Sequence, residues 1–373
     1  MINTTEYDII IIGAGIAGVS LAAQLAAHCR VLILEMEKQP GYHSTGRSAA
    51  YFAPAYGNEV VRTITRASES FFRKPPEYFS EAKLLNPRDS MFVAQENQLE
   101  SMANFLRENP QLLAMNADEL REQVQILKPG ALVFGARDCD GGDLDVDAIL
   151  QGFLRIFKSA GGELKTNSNV RQLNYRRGTW QVCSDRETFT APIIVNAGGA
   201  WADNIAQMAN LQPLGIEPLR RTVILVDSPL GTDISNWPLT IDVDENFYFK
   251  PDAGQLLISP ADETPSVPCD AQPDEMDIAI VIDRIQQVTN LEVTKINHSW
   301  AGLRSFAPDK TFVTGFDPRT DGFFWLAGQG GYGVQTAPAL SDIAAFLITG
   351  SHNLVSRNTI DAVVSEISPG RLI

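Results

Sequence analysis

"DIIIIGAGIAGVSLAAQLAAHCR", residues 8–30, carries no charged side chain from Ile9 to Ala27 and approaches the length of a membrane span. Its internal pattern points elsewhere. Four β-branched isoleucines, Ile9 to Ile12, run into Gly13, Gly15 and Gly18, after which Leu21, Ala22, Leu25 and Ala26 recur at helical spacing. This order predicts a strand, a tight turn and a helix. In Gly13-x-Gly15-x-x-Gly18 the glycines allow a sharp turn, a close approach of backbone to a pyrophosphate, and close packing of helix on strand. The first N–H groups of the helix then face the phosphates. A second apolar strand, Val31 to Leu34, ends in Glu35, 22 residues after Gly13. A carboxylate there suits the hydroxyls of an adenosine ribose and repels a 2′-phosphate, which disfavours NADP. The stretch therefore predicts a dinucleotide cradle and no transmembrane segment. The residues before it include Glu6 and Asp8 but no Lys or Arg, unlike a secretory signal, so a cytoplasmic protein is expected.

The chain has 373 residues, enough for two domains or one large α/β unit. It is 44% hydrophobic and 20% charged, as in globular proteins generally, and its net charge of −15 repels phosphate backbones and anionic lipid. No nucleic-acid partner is expected. Cys29, Cys139, Cys183 and Cys269 form no CxxC pair and read as reduced structural thiols, and the four histidines show no metal-ligand spacing. No metal is expected.

Two further units read as strand, glycine turn and helix: "APIIVNAGGAWADNIA" (191–206) and "FFWLAGQGGYGVQTAPALSDIAAFLITG" (323–350). The helix N-terminus of the second would stabilise the negative charge that gathers at the N1/C2 carbonyl edge of a reduced flavin. Residues 58–80 contain a helical stretch, "EVVRTITRASESFF", further helical patterns lie in 96–126 with Pro110 between them and in 146–162, and a strand is read at 131–136. Residues 169–185 read as two strands about Arg177-Gly178. Residues 216–304 read as alternating strands with one helix at 274–288, without a nucleotide turn, which makes them the expected substrate region.

The N-terminal fingerprint, "GYHSTGRSAA" (41–50), "VNAGGAW" (195–201), "WAGLRSF" (300–306) and "GQGGYGVQT" (328–336) together resemble the FAD-dependent amine oxidoreductases of the D-amino acid oxidase and glycine oxidase type, most nearly the bacterial D-arginine dehydrogenases. The resemblance spans the chain. It implies an α/β fold with a discontinuous Rossmann-like FAD-binding domain (1–80, 141–215 and 310–373). The substrate domain it implies (81–140 and 216–309) is built on a mixed, largely antiparallel sheet. For FAD it points to Gly13, Gly15, Ala17, Gly18, Glu35 and Met36. It adds the loop Ser44, Thr45, Gly46, Arg47, Ser48, Ala49 and Ala50, the backbone of Val170, and Gly330, Gly331, Tyr332, Gly333, Val334 and Gln335. The activity it implies is oxidative deamination of D-amino acids by hydride transfer from Cα to flavin N5, with the electrons passed to a quinone or to oxygen. A glycine or sarcosine-type amine oxidase, a 2-hydroxy-acid dehydrogenase and a non-catalytic flavoprotein are the alternatives.

Such chemistry needs a cation for the substrate carboxylate, and the planar fork of arginine suits it. Arg304 lies among apolar neighbours and matches the family's carboxylate-binding arginine. Of Arg220 and Arg221, adjacent on one strand, only one can face the site, and the resemblance selects Arg221. Tyr56 and Tyr248 match two pocket tyrosines, while Gly331 and Gln335 are placed near the substrate. No general base stands out; His43 lies in the flavin loop and His28 at a helix end. In "LLNPRDSMF" (84–92) Ser90 stands where the D-arginine dehydrogenases hold a guanidinium with glutamate, and Tyr51 and Ala53 replace a histidine and a threonine. A buried cation without a carboxylate partner is costly, so a neutral or apolar side chain is expected in place of D-arginine.

Overall fold

In the computed structural model, which describes residues 5–373, Ile9–Ile12 lies inside a six-stranded sheet. Val31–Leu34 and then Glu163–Lys165 flank it on one side, and Ile193–Asn196, Phe323–Ala327 and Val313–Phe316 on the other. The first five strands are parallel and Val313–Phe316 runs against its neighbour. All four isoleucines are buried because both faces of the sheet are covered. Ile9 and Ile11 pack with residues of the helices Ile16–Leu25, Val146–Ser159 and Gly333–Thr349. Ile10 and Ile12 pack with Trp180, Val182 and Phe189 of a second, four-stranded sheet. An unbroken apolar run is what a strand buried on both faces requires. Burying each such side chain contributes about 1.5–3 kcal/mol.

The register sets the site. Ile12 pairs with both Leu34 and Asn196, so Gly13, Glu35 and Ala197 follow together at the carboxyl edge of the parallel strands. Open α/β sheets bind ligands at that edge.

A mixed sheet of nine strands forms the other half. It runs Thr264–Pro265, Glu217–Asp227, Gln255–Ser259, Tyr248–Asp252, Leu239–Asp242, Ser90–Ala94, Phe134–Asp138, Leu113–Asn116, with Ile296–Phe306 also paired to Glu217–Asp227. Only Leu239–Asp242 and Ser90–Ala94 pair in parallel. Phe247, Phe249, Ile224 and Val226 pack with Val281, Ile285 and Val288 of the helix Glu275–Val288. Tyr248, Val223, Leu239 and Ile241 belong to a separate cluster on the opposite side. Tyr51–Phe52, Gly142–Leu144 and Leu85–Pro87 make a small three-stranded sheet.

The structure shifts several elements. The helical stretch expected within 58–80 is found in place as Glu59–Arg73, which stops before Pro75 and Pro76. Within 96–126 the helices are Leu99–Glu108 and Ala117–Gln123, and Leu113–Asn116 between them is an edge strand with only Met115 buried, so no apolar alternation marks it. The strand read at 131–136 is Phe134–Asp138, and the helix Arg357–Ile367 had not been read at all. All four cysteines are free, and Cys139 is exposed rather than structural. Among the described residues no helix is long and apolar enough to cross a membrane.

Candidate active site

At the carboxyl edge of the six-stranded sheet lies a cleft of about 1030 Å³. Gly13 has a φ of +107°, and a Cβ on it would sit 2.4 Å from the Ala197 carbonyl oxygen. A Cβ on Gly18 would sit 2.1 Å from the Gly13 carbonyl oxygen. Neither position has room for a side chain, which is how the turn and helix come so close to the strand ends. The Ala14 N–H donates to Glu35 Oε2 at 2.7 Å and the Glu37 N–H to Oε1 at 2.9 Å, fixing that carboxylate on the cleft wall. Thr45 Oγ1 accepts the Ile16 N–H at 3.0 Å, at the first turn of the helix.

The loop 41–50 is tied to Ile296–Phe306. The Ser44 hydroxyl donates to the Leu303 carbonyl at 2.5 Å. Arg47 donates to the carbonyls of Ala271 and Ala301, each at 2.9 Å, and pairs with Asp270. Trp300 Nε1 donates to the Arg47 carbonyl at 3.2 Å. Ser44 and Thr45 line the first cleft, whereas Ser48, Ala49 and Ala50 line a second cavity of about 640 Å³. Gln329 and Gly331 divide in the same way. The two spaces thus adjoin along one loop and one glycine turn, a shape with room for a long dinucleotide such as FAD.

Arg221 and Arg304 come from paired strands. Arg221 is opposite Gly302 and Arg304 opposite Leu219, so the two arginines lie on one face as diagonal neighbours. Arg220 faces the other way and pairs with Asp277 at 2.8 Å. Arg221 donates to the Asp262 carbonyl at 2.8 Å and to Glu263 at 3.3 Å. No hydrogen bond or ion pair joins Arg304 to another described residue. Burial opposes its charge, but Tyr56, Tyr248 and Glu245 more than offset this and hold its pKa above the ordinary arginine value. The site therefore presents a permanent cation with open hydrogen-bond donors. The Tyr56 hydroxyl donates to Glu245 Oε2 at 2.8 Å, and that oxygen is 4.0 Å from Arg221. Burial, with Glu245 second, raises the Tyr56 phenol well above its usual range and Tyr332 to about 12; burial likewise raises Tyr51. Near neutral pH these phenols donate hydrogen bonds and do not act as bases.

Gly331 lies against the Arg304 guanidinium, and an added Cβ would be 2.8 Å from one of its nitrogens. The Gly331→Ala protein is therefore expected to keep its flavin and raise KM about tenfold, the equivalent of one weakened hydrogen bond of ~1.4 kcal/mol. Steady-state kinetics with flavin quantification checks this, and an unchanged KM contradicts the packing argument.

Of the residues expected from sequence, Gly13, Gly15, Ala17, Glu35, Met36, Ser44, Thr45 and Val170 line the first cleft. Ser48, Ala49, Ala50, Tyr51, Tyr56, Arg221, Tyr248, Arg304, Gly331 and Gln335 line the second cavity. Gly18, Gly46, Arg47, Gly330, Tyr332, Gly333, Val334 and Ser90 line neither. Gly18, Gly46 and Gly330 serve close packing, since a Cβ on Gly46 would meet the Gly41 carbonyl oxygen at 2.7 Å and one on Gly330 the Phe306 ring at 2.2 Å. Arg47 is spent on anchoring its loop. Ser90 is buried in the sheet between Leu239 and Asp138, and Asp89 turns to Arg137 at 2.6 Å. Gln335 is committed on both sides, accepting from the Ala53 N–H and donating to Thr65, each at 3.0 Å. His43 belongs to the first cleft, where it pairs with Glu37 at 3.0 Å and packs on Trp201.

Sequence reasoning missed Glu245 and Lys250, both on the wall of the second cavity. Glu245 sits in a turn with a φ of +57°, and no pattern marked it. Lys250 was accessible through strand alternation, being two residues beyond Tyr248. The wall of the second cavity is mixed: Leu239 and Ile241 line it, and so does the buried side chain of Lys250.

The profile of the family described as DAO, FAD dependent oxidoreductase, matches residues 8–347. The chain is 22% identical over 400 residues to FAD-dependent oxidoreductase domain-containing protein 1 of Bos taurus, covering 92% of this chain and 82% of that one. It is 23% identical to the glycine oxidase of Bacillus licheniformis, covering 97% of each chain. Its fold is similar to that of glycine oxidase from Geobacillus kaustophilus, with a TM-score of 0.85 at 19% identity over 99% of this chain and 100% of the other.

Proposed function

Because the chain belongs to the DAO family of FAD-dependent oxidoreductases, we propose that it oxidises a small α-amino acid at Cα, within the D-amino acid class that the sequence motifs resemble. The observation that carries this reading is Arg304, a largely buried guanidinium without a hydrogen-bond or ion-pair partner among the described residues, in a cavity adjoining the dinucleotide cleft. We also take the segments around the six-stranded sheet as the FAD-binding domain and those around the nine-stranded sheet as the substrate domain.

FAD, when bound, supplies the acceptor for a hydride equivalent. The residues of the chain do the rest. The glycine turn and helix N-terminus hold the pyrophosphate through backbone N–H groups, and Glu35 meets the ribose. Arg304 takes the substrate carboxylate in a forked pair of charge-assisted hydrogen bonds, with Arg221 and the phenols of Tyr56 and Tyr248 beside it. Holding the carboxylate fixes the direction of the Cα–H bond, which is the main contribution a binding group makes to such a transfer. As that bond breaks, the amine lone pair closes a C=N bond, and water then hydrolyses the imino acid to a 2-oxo acid and ammonia. The amine gives its proton to water before transfer.

Anaerobic mixing of the yellow protein with D- and L-amino acids, glycine, sarcosine and 2-hydroxy acids tests the reading. Bleaching of the visible flavin band by an amino acid is expected, with D-arginine and D-lysine poor substrates. Bleaching by hydroxy acids alone transfers the reading to that class, and no bleaching by any of them overturns it.

A further inference from the structure

Lys250 is only 3% exposed, on the strand Tyr248–Asp252. Alternation puts it on the face of Tyr248, about 6.6 Å farther along the strand, and both residues line the second cavity. Its Nζ donates to Asp143 Oδ1 at 2.8 Å, while Arg88 Nε donates to Asp143 Oδ2 at 2.6 Å. One carboxylate therefore serves two cations. The other acid beside Lys250, Asp252, is 3.8 Å away with a side chain 41% exposed, where water weakens the pair. Nearby, Asp89 is taken by Arg137, and Asp138 accepts the Asp140 N–H.

The charged residues lining the cavity are Arg221, Arg304 and Lys250 against Glu245 alone, three cations to one anion in a chain whose net charge is −15. One carboxylate on Arg304 leaves Lys250 underpaired, and an underpaired buried ammonium is costly. The Tyr248 hydroxyl, buried without a hydrogen-bond partner, belongs to the same wall. Resting on the function proposed above, we propose that the substrate carries a second carboxylate at the end of its side chain, bound by Lys250 with the help of Tyr248. The substrate class is then an amino acid of aspartate or glutamate type.

The isosteric pair glutamate and glutamine isolates the charge. The holoenzyme is expected to show at least tenfold higher kcat/KM for the acid than for its amide, in whichever enantiomer reacts. Lys250→Met is expected to lower that ratio about tenfold, toward unity, and Lys250→Arg to keep it within a few-fold. A wild-type preference for the amide, or an unmoved ratio in a flavin-replete Lys250→Met protein, overturns the proposal. A readout without turnover separates its failure from failure of the function: titration of glutarate and of butyrate, followed by the shift of the flavin spectrum. Tighter binding of the diacid supports the Lys250 subsite even if no amino acid is oxidised. Equal binding overturns the subsite even if neutral amino acids are oxidised. If Lys250→Met fails to retain flavin, the same titration on wild type and on Tyr248→Phe, expected to weaken glutarate binding more than butyrate binding, decides.

Discussion

Arg304→Met lowers kcat/KM for the best amino acid by roughly 10²–10⁴-fold while flavin stays bound, since two charge-assisted hydrogen bonds of ~1.5–3 kcal/mol each are lost. The guanidinium makes no hydrogen bond or ion pair to another described residue, so its removal breaks no internal contact of that kind and leaves no protein carboxylate stranded. The damage falls on substrate binding and on Cα alignment, raising KM and lowering kcat together. Arg221→Met behaves differently. Arg221 already donates to Asp262 and Glu263, so its loss also unfastens the chain around those residues. Parallel kinetics, flavin-to-protein ratios and melting temperatures check the contrast. A loss below tenfold for Arg304→Met, with flavin retained, removes this residue from the carboxylate site.

Gly13→Ala is expected to yield protein without flavin, or none that folds. The new Cβ meets the Ala197 carbonyl oxygen at 2.4 Å, and the φ of +107° is one that alanine adopts only under strain. Strain of about 1–3 kcal/mol from the dihedral alone adds to the collision. Relief requires the turn to move away from the strand ends, which are the floor of the cleft. The flavin-to-protein ratio of purified protein is expected to fall at least tenfold, and Tm to fall with it. Gly161→Ala supplies the control, because Gly161 also has a positive φ, +87°, but nothing within 4 Å of the added carbon. Full flavin occupancy in Gly13→Ala shows that the turn does not press on the cleft as described.

The dinucleotide half was readable from sequence because its signals are local. An isoleucine run, three glycines at fixed spacing and an acid after the next strand are each dictated by backbone geometry. The wall of the second cavity was only partly readable, because it is assembled from strands distant in sequence. Arg221 and Tyr248 are 27 residues apart and meet through a third strand, Gln255–Ser259. Glu245 owes its place to a turn without a recognisable motif. Arg47 shows the opposite failure: it sits in a loop of the expected site, yet its side chain holds that loop in place. Ser90, expected from sequence to face the substrate, is buried in its sheet between Leu239 and Asp138 and lines neither cavity.

The tethering of the loop 41–50 to Ile296–Phe306 divides labour within the molecule. The strand that bears Arg304 also bears the loop's anchors, so the spacing between dinucleotide cleft and carboxylate clamp is set by main-chain register. The groups proposed to meet the substrate's side chain, Leu239, Ile241, Tyr248 and Lys250, belong to other strands of the sheet, which do not set that spacing. Substitutions there can retune which molecule is accepted without disturbing how its Cα is presented. A single scaffold of this kind can therefore diversify in diet while its reaction stays fixed.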